Sequence, residues 1–197
     1  MKIVLATRND HKRSEIEKFL NSAGSSEKIE LLTLNDIGFE HNIIENVHSF
    51  DENALIKARA VKKATDLPVI ADDSGLCVDY LCGAPGVLSA RYFKKKATDE
   101  ENNEFLLGNM KHATDRSRSA RFVCVIAYVD ENGTETLIRG ECHGEILREY
   151  RGDNGFGYDP LFYYPPLDKT FAEMSQDEKN EHSHRGVAMK RFLDFVG

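Results

Sequence analysis

The stretch KIVLATRNDHKRSEIEKFL, residues 2–20, contains a strand, a polar joint and a helix in direct succession. Residues 2–6 form a short, largely apolar run that predicts a buried strand. Ile16, Phe19 and Leu20 then follow at the i, i+3, i+4 spacing of an amphipathic helix. Units of this kind build sheets that are covered by helices, so the segment favours an α/β fold.

Capping boxes mark the starts of further helices along the chain. In such a box a serine or threonine is followed three residues later by glutamate, and the two side chains satisfy backbone N–H groups at a helix start. The pattern occurs at residues 49–52, 98–101 and 175–178. The first of these predicts a helix over residues 51–65, which Pro68 stops, and the last apolar-periodic residues of the chain predict one more helix.

Short β-rich runs and one hairpin complete the predicted sheet. Residues 69–71 (VIA) are an apolar strand that runs straight into residues 72–75 (DDSG), so acidic residues are expected where this strand ends. Residues 121–129 and 134–139 are also β-rich, and the Asn-Gly dipeptide at 132–133 is a strong hairpin signal. Strands that alternate with helices, together with a hairpin, predict an α/β protein with a mixed sheet.

Length, charge and hydropathy exclude several classes of protein. With 197 residues the chain can bury one substantial core, so a single domain over residues 1–197 is expected. The formal charge of −7 argues against a binder of duplex nucleic acid, which needs a basic field. Apolar runs are far shorter than the ~20 residues of a membrane helix, and the start turns polar too soon for a signal peptide. We therefore expect a cytoplasmic protein with neither a nucleic acid nor a membrane as partner.

Four cysteines lie scattered through strand-like segments, at Cys77, Cys82, Cys124 and Cys142. Because they are not set in pairs, they suggest neither a disulfide framework nor a zinc site. We expect them to be buried, reduced thiols.

The first group of residues that could carry chemistry lies in the joint between the first strand and the first helix. Thr7, Asn9 and Lys12 occur there, flanked by arginines. A helix N-terminus carries unpaired N–H groups and a partial positive charge, so basic residues there favour a bound anion such as phosphate. The alternative is that Asn9 or Asp10 simply caps the helix and that the basic side chains are solvated. The joint lacks the spacing of a Walker loop.

The second group consists of Asp72 and Asp73 together with Glu45. Successive strand residues point to opposite faces, so only one of the two aspartates can enter a given cleft. Adjacent buried carboxylates bind protons unless a cation or hydrogen-bond donors hold them ionised. Oxygen ligands of this type suit Mg²⁺, which takes one or two carboxylates plus substrate phosphates. A turn in which Asp and Ser cap backbone N–H groups is the alternative.

Lys57 lies at or near the apolar side of the second predicted helix, unlike Lys62 and Lys63. It either reaches into a cleft or lies along the edge of the core with its ammonium group in solvent.

The third group lies late in the chain. It contains the glycine-rich segment 156–159 (FGYD), Lys179 and the segment 183–185 (SHR). An aromatic ring in a glycine-rich loop can stack on a base, and arginine can offer paired donors to a keto oxygen. The alternatives are that Phe156 fills the core and that His184 is an ordinary residue at a helix end.

Taken together, these segments resemble the inosine triphosphate pyrophosphatase family, and within it the bacterial dITP/XTP pyrophosphatases. The motifs that carry the resemblance occur in family order and span nearly the whole chain. They are ATRNDHK, FDENALIKA, ADDSGL, GAPGVLSARY, GFGYDPLF and EKNEHSHRG.

The resemblance implies a fold, an activity and an assembly. The implied fold is a long mixed β-sheet flanked by helices in two lobes, with a central active-site cleft, and the implied assembly is a homodimer. The implied activity is Mg²⁺-dependent hydrolysis of non-standard purine nucleoside triphosphates, namely dITP, ITP and XTP, to the monophosphate and pyrophosphate.

The resemblance also implies roles for individual residues. It makes Asp73 the general base and a metal ligand, and Glu45 the second carboxylate of the metal site. Lys57 reaches the triphosphate from the second helix. The implied substrate contacts are Thr7, Asn9, Lys12 and Lys57 at the triphosphate, Ser74 near the phosphates or sugar, and Phe156, Gly157, Tyr158, Asp159, Lys179, His184 and Arg185 around the base.

The chain departs from the family pattern at two positions. Val47 stands where the family usually has glycine, and valine does not adopt a positive φ as readily. Arg8 occupies a position that is usually small or neutral, so it either adds a phosphate contact or faces solvent.

Two other functions stay open at this point. One is a Maf-like pyrophosphatase that acts on pyrimidine or modified nucleotides, against which Phe156 and the SHR motif argue. The other is a nucleotide-binding regulatory module without turnover. The presence of Asp73, Lys12 and Lys57 argues against that second reading.

Overall fold

The computed structural model describes residues 1–22, 29–44 and 47–197. Its strands are β1 (Lys2–Leu5), β2 (Glu30–Leu32), β3 (Val69–Val78), β4 (Ser119–Val129), β5 (Glu135–Ile146), β6 (Phe162–Tyr164) and β7 (Lys169–Thr170). Its helices are α1 (Asp10–Ser22), α2 (Phe50–Lys62), α3 (Asp99–Asn109), α4 (Gln176–His182) and α5 (His184–Val196).

The seven strands described form one mixed sheet in the order β2-β1-β3-β4-β5-β6-β7. β1 pairs in parallel with β2 and with β3, so that Val4 lies opposite Leu32 on one side and Val69 on the other. β5, β6 and β7 pair with antiparallel geometry. The predicted α/β fold with a mixed sheet is therefore confirmed.

β3 is the strand on which the sequence interpretation was wrong in detail. The acidic pair was expected at the end of a short strand, but the strand runs on from Val69 to Val78, and nine of its ten residues are buried. Extended backbone continues through Asp72 and Asp73 because basic side chains from other elements meet both carboxylates. The alternative of a capping turn over residues 72–75 is excluded.

The chain divides into two compact units. Unit 1 comprises Met1–Asp73, Cys124–Gly140 and Arg185–Gly197, and unit 2 comprises Ser74–Val123 and Glu141–His184.

The core of unit 1 joins the strand and helix with which the sequence begins. Ile3 and Leu5 of β1 pack with Ile16 of α1, and with Met189 and Phe192 of α5. All of these side chains are buried. Burial of the predicted stripes on α1 and α5 supplies the hydrophobic stabilisation that these short helices need.

The core of unit 2 is built on aromatic rings. Phe122, Phe162 and Phe171 pack together, with ring centroids 4.7 Å apart for Phe122 and Phe162 and for Phe162 and Phe171. Leu106 of α3 and Met110, the residue directly after this helix, are buried in the same cluster.

Helix starts follow the predicted caps closely. Thr98 and Glu101 form a complete capping box at α3, and Ser175 and Glu178 form one at α4. At α2 the Ser49 side chain accepts a hydrogen bond from Glu52 N, but the helix ends at Lys62, three residues earlier than predicted.

The hairpin is longer than predicted, and it turns at Gly133. Asp130 N donates to Thr134 O at 3.0 Å, and Gly133 has a φ of 84°. This positive φ is why glycine is favoured at the turn.

Cys77, Cys124 and Cys142 are buried as expected, but Cys82 is exposed. Cys82 follows a short turn of 3-10 helix and adopts a left-handed conformation, with a φ of 53°, so its segment is a surface turn and not a strand. In the described ranges, 1–22, 29–44 and 47–197, no helix is both long and apolar enough to cross a membrane.

Candidate active site

The joint between β1 and α1 is organised by its own polar side chains. Lys12 N donates to Asn9 Oδ1 at 3.1 Å, and Asn9 N donates to Thr7 Oγ1 at 3.2 Å. Asn9 therefore caps α1, as the simpler interpretation of the sequence proposed. Beside this joint lies a cavity of about 220 Å³. It is lined by Leu5, Thr7, Arg8, Asn9, Asp10, Arg13, Thr33, Leu34 and Asn35.

Arg8 is exposed, in line with one of the two expectations, and its guanidinium group also contacts the segment after β2. Its Nη2 donates to Phe39 O at 3.0 Å and approaches His41 O at 3.5 Å. Arg8 therefore ties the segment after β2 to the joint, through contacts between residues more than 30 positions apart.

Asp72 is the acceptor in a buried network of charges in unit 1. Asp72 Oδ2 lies 3.0 Å from Lys12 Nζ and 3.2 Å from Arg185 Nη2. The other terminal nitrogen of Arg185, Nη1, pairs with Glu15. Asp72 is only 2% exposed. We call Glu15, Arg185, Asp72 and Lys12 the Asp72 network.

Electrostatics keep this network ionised. Burial alone would raise the pKa of the Asp72 carboxyl, but the charges of Lys12 and Arg185 outweigh it and hold that pKa well below its usual range. Burial would likewise lower the pKa of Arg185, but Glu15 and Asp72 raise it overall. Adjacent buried carboxylates were expected to need cations or donors to stay ionised, and Lys12 and Arg185 meet this need for Asp72.

Asp73 has a different set of partners, which includes two side chains of α2. Lys57 Nζ lies 3.0 Å from Asp73 Oδ1, and Asn53 Nδ2 donates to Asp73 Oδ2 at 3.3 Å. Asn53 Nδ2 also donates to Val47 O at 3.0 Å. Lys57 and Asp73 are both buried, so Lys57 does not lie along the core edge with its ammonium in solvent. Strand alternation explains why neighbouring aspartates meet different cations.

The oxygen atoms around Asp73 fit a magnesium ion. Asn53 is buried, and its Oδ1 has no hydrogen-bond partner among the residues that the structure describes. A hard cation takes carboxylate and amide oxygens, and Mg²⁺ needs only one or two carboxylates when substrate phosphates supply further ligands. Glu45, the predicted second carboxylate, lies outside the described residues.

Unit 2 holds a second buried ion pair, which lies close to one of the predicted base-binding residues, Phe156. Lys179 Nζ lies 2.7 Å from Asp159 Oδ2 and 5.1 Å from the centre of the Phe156 ring. Phe156 N donates to Asp159 Oδ2 at 2.9 Å. At Gly155, with a φ of 81°, an added Cβ would lie 2.1 Å from Asp159 Oδ2, so this position requires glycine. Phe156, Asp159 and Lys179 thus form one compact cluster.

A cavity of about 440 Å³ lies beside this cluster. It is lined by Asp99, Glu100, Asn103, Tyr150, Gly152, Asp153, Asn154, Gly155, Phe156, Gly157 and Pro160. Phe156 is half-buried there and is not a plug in the core.

Tyr158 and His184 are buried within unit 2. The Tyr158 hydroxyl donates to Ser89 O at 2.8 Å, and burial raises its pKa. The His184 ring stacks on Phe122, with centroids 4.7 Å apart and planes 12° apart, and lies parallel to Phe171. His184 is therefore part of the aromatic core as well as the first residue of α5.

Some of the predicted site residues contact each other in the structure, whereas others have different partners. Lys12 and Arg185 share Asp72, and Lys57 meets Asp73, all in unit 1. Arg185 directly follows His184 in sequence, yet its described contacts are with Glu15 and Asp72 in unit 1. Ser74 is half-buried on β3, directly after Asp73.

Sequence reasoning missed four residues that hold site groups: Glu15, Asn53, Asp99 and Asn103. Asn53 lies four positions before Lys57, on the same face of α2, which is a signal that could have been used. Glu15 gave no comparable signal, because its partner Arg185 lies 170 positions away in the chain.

Comparison with known proteins agrees with this arrangement. The model of the Ham1 family matches residues 3–195. A dITP/XTP pyrophosphatase of Escherichia coli (strain K12) is 45% identical over 195 residues, which cover 98% of this chain and 96% of that protein. The structure of a HAM1 protein from Coxiella burnetii superposes with a TM-score of 0.89 at 42% identity, covering 100% of this chain and 98% of that one. The structure of a nucleoside-triphosphatase, or dITP/XTP pyrophosphatase, from Mycobacterium abscessus gives 0.79 at 42% identity with full coverage of both chains.

Proposed function

The chain belongs to the Ham1 family, and on that premise we propose that it hydrolyses dITP, ITP and XTP to the nucleoside monophosphate and pyrophosphate. The observation that carries the proposal is the pair of adjacent, buried aspartates on β3, each held by its own set of donors. Such a pair offers one carboxylate for proton transfer and a second for holding the basic groups that receive phosphates.

Asp73 is the proposed general base. Lys57 and Asn53 contact one carboxylate oxygen each, which fixes the plane of the carboxylate. In the proposed reaction Asp73 takes a proton from a water molecule, the water oxygen bonds to the α-phosphorus, and the bond to the pyrophosphate oxygen breaks. Lys57 offsets negative charge as it develops on the leaving group.

Lys12 is proposed to share its charge between Asp72 and the substrate. About 16% of its side-chain surface is exposed, so the ammonium group is held by Asp72 and still reachable. Thr7 and Asn9 lie at the N-terminus of the 13-residue helix α1, where the partial positive charge of the helix end favours phosphate. The cavity of about 220 Å³ beside them, lined also by Arg8 and Arg13, is the proposed place for phosphate oxygens.

Mg²⁺ is the proposed cofactor, with Asp73 and Glu45 as its ligands from the protein. When bound, it supplies positive charge that polarises the phosphates and offsets the charge of the transition state.

The proposed base pocket rests on Phe156 and its neighbours in unit 2. Phe156 offers a ring for stacking, and Lys179 offers N–H donors held at a fixed place by Asp159. Gly157, Tyr158 and Asp159 shape this loop, and His184 and Arg185 are proposed at the 6-keto edge. Donors suit the keto oxygen of hypoxanthine or xanthine, whereas the amino group of adenine leaves such donors unpaired. ATP is therefore expected to be a poor substrate.

The setting of the enzyme is also a proposal. The charge of −7 and the nucleotide substrates support a cytoplasmic enzyme without a nucleic-acid or membrane partner. A homodimer is proposed from the family resemblance alone, and sedimentation of the purified chain would test it.

The test is release of pyrophosphate from dITP, XTP, GTP, ATP and dTTP with Mg²⁺, repeated with excess EDTA. Rapid, EDTA-sensitive release from dITP and XTP but not from the others is the expected result. Equal activity on all five would leave the Asp73 chemistry standing and overturn the base pocket. Nucleotide binding without any release would instead identify a binding module without turnover.

A further inference from the structure

The first turns of α3 hold the backbone on both sides of Gly157, the residue after Phe156. Gly157 N donates to Asp99 Oδ2 at 2.6 Å, and Asn103 Nδ2 donates to Gly157 O at 2.9 Å. Asp99 and Asn103 are four residues apart, so they lie on one face of the helix. We propose that they are positioning residues for Phe156, which fix the direction of its ring and thereby the selectivity for the purine base. The inference rests on the proposed function of this loop.

α3 is built to be a rigid support for that loop. Its start is fixed by the Thr98–Glu101 capping box, and Lys94 forms an ion pair with Glu101 in the same turn. Further along, Leu106 and Met110 are fully buried in the core of unit 2. Because the helix is anchored in the core, a loop that is hydrogen-bonded to it is held in a fixed position.

The hydrogen bonds from α3 complete those that the loop makes with itself. Phe156 N donates to Asp159 Oδ2 at 2.9 Å, and Asp159 N donates to Phe156 O at 3.3 Å. Gly157 has a φ of 61°, a conformation that other residues seldom adopt. The backbone groups of Phe156 and Gly157 are thus held from two directions, by Asp159 within the loop and by α3 outside it.

Asn103 lowers the stability of the folded protein, and a positioning role would explain why asparagine occurs here. It is 2% exposed, and its Oδ1 has no hydrogen-bond partner within residues 1–22, 29–44 and 47–197. A buried amide oxygen without a partner lowers stability, so an apolar residue would suit this helix face better if stability alone mattered. The hydrogen bond from Nδ2 to Gly157 O is the gain that accounts for asparagine at this position.

Asn102 provides a matched control on the same helix. It is also an asparagine, 3% exposed, and its side chain accepts from Phe93 N at 3.0 Å and donates to Ala90 O at 3.4 Å. It therefore bonds to a segment other than the Phe156 loop. Asn103→Leu and Asn102→Leu each remove one buried amide, but only the first removes a hydrogen bond to Gly157.

The experiment compares dITP with ribose 5-triphosphate, which has the phosphates but no base. For Asn103→Leu we expect kcat/KM for dITP to fall about five- to tenfold, mainly through KM, as one hydrogen bond to the loop is lost. The inhibition constant of ribose 5-triphosphate should change less than about twofold, because the proposed phosphate contacts are Thr7, Lys12 and Lys57 and not residues of the loop. Asn102→Leu should leave the ratio of the two quantities at its wild-type value.

A double variant with Phe156→Ala shows whether Asn103 acts through the ring. Once the ring is gone, Asn103→Leu should cause little further loss on dITP, because the two changes remove the same interaction. Additive losses, or equal losses for dITP and ribose 5-triphosphate, would overturn the inference.

Amide hydrogen exchange at Gly157 gives a readout that does not depend on turnover. Asp99→Ala should speed exchange of that N–H group, and Asp99→Asn, which keeps an acceptor oxygen, should restore protection. Unchanged exchange in Asp99→Ala would overturn the inference. A wild-type protein that fails to hydrolyse dITP would overturn the proposed function and this inference with it. If the wild type is active but Asn103→Leu leaves both kcat/KM for dITP and the inhibition constant of ribose 5-triphosphate unchanged, only the inference is overturned.

Discussion

Among the described residues, each unit contains a lysine–aspartate pair in which both residues are buried, and these two pairs have different surroundings. In unit 1 Lys57 meets Asp73 at 3.0 Å, and in unit 2 Lys179 meets Asp159 at 2.7 Å. Asp73 directly follows Asp72 in the chain, whose network holds three further charged side chains. Lys179 instead lies 5.1 Å from the ring of Phe156 and 5.9 Å from that of Phe171.

The difference shows how the same type of ion pair can suit different ligands in different surroundings. A pair set among further charges suits a polyanionic ligand and proton transfer, because the neighbouring charges hold the acid ionised. A pair set beside aromatic rings suits a flat ligand, because the cation is held near the rings and the half-buried ring of Phe156 lines a cavity where it can stack. If the surroundings decide the function, variants of the two pairs should differ in their kinetic defects.

Asp73→Asn should have the largest effect. It keeps the shape of the side chain but removes the proposed base, so kcat for dITP should fall about a thousandfold or more. Far-ultraviolet circular dichroism should show an unchanged fold. Asp79→Asn, an exposed acid in unit 2, is the control and should keep wild-type turnover. Normal kcat in Asp73→Asn would show that Asp73 is not the general base.

Lys57→Met and Lys179→Met should destabilise the protein to a similar degree. Each removes the lysine that lies within 3.0 Å of a buried carboxylate, which costs about 3–5 kcal/mol, to be measured by urea unfolding. Their kinetics should differ, since Lys57→Met lowers kcat whereas Lys179→Met raises KM and weakens the preference for dITP over ATP. Identical kinetic defects in the two variants would show that the surroundings of the pairs do not divide their roles.

The pH dependence of stability tests whether the pKa of Asp72 is lowered in the folded protein. Because the pKa of Asp72 is lowered in the folded protein, its contribution to stability is complete above the unfolded pKa, near ~3.9, and is lost as pH falls through the lower folded value. Urea midpoints measured from about pH 7 to about pH 2.5 should thus fall less steeply at the acid end in Asp72→Asn than in the wild type. Equal slopes would contradict the lowered pKa.

The cysteines should show the smallest difference between the units. Burial raises the pKa of Cys124 in unit 1 and of Cys142 in unit 2 to about 12, while Cys82 is exposed. Native protein at neutral pH should therefore react with a thiol reagent quickly at Cys82 and slowly at the buried thiols of Cys77, Cys124 and Cys142. Cys82→Ser should abolish the fast phase. A fast reaction at Cys124 alone would show that unit 1 opens more readily than unit 2.

Local patterns in the sequence predicted most of the secondary structure. Period and capping identified α1, α3 and α4, and the Asn-Gly dipeptide identified the turn between β4 and β5. The course of β3 could not be predicted locally, because acidic residues normally end a strand. They continue this one because Lys12, Lys57 and Arg185 meet them from other elements.

The sequence by itself determined which chemical groups are present and in what order: the aspartate pair, the lysines at helical spacing, and the aromatic, glycine-rich loop. Only the tertiary structure decided how they are paired. Arg185 is bonded to Glu15 and Asp72 across 170 and 113 positions, and Asn103 is bonded to Gly157 across 54. Periodicity and capping report only on neighbours within a few turns of the chain, and partners this distant are set by the packing of the helices and the sheet.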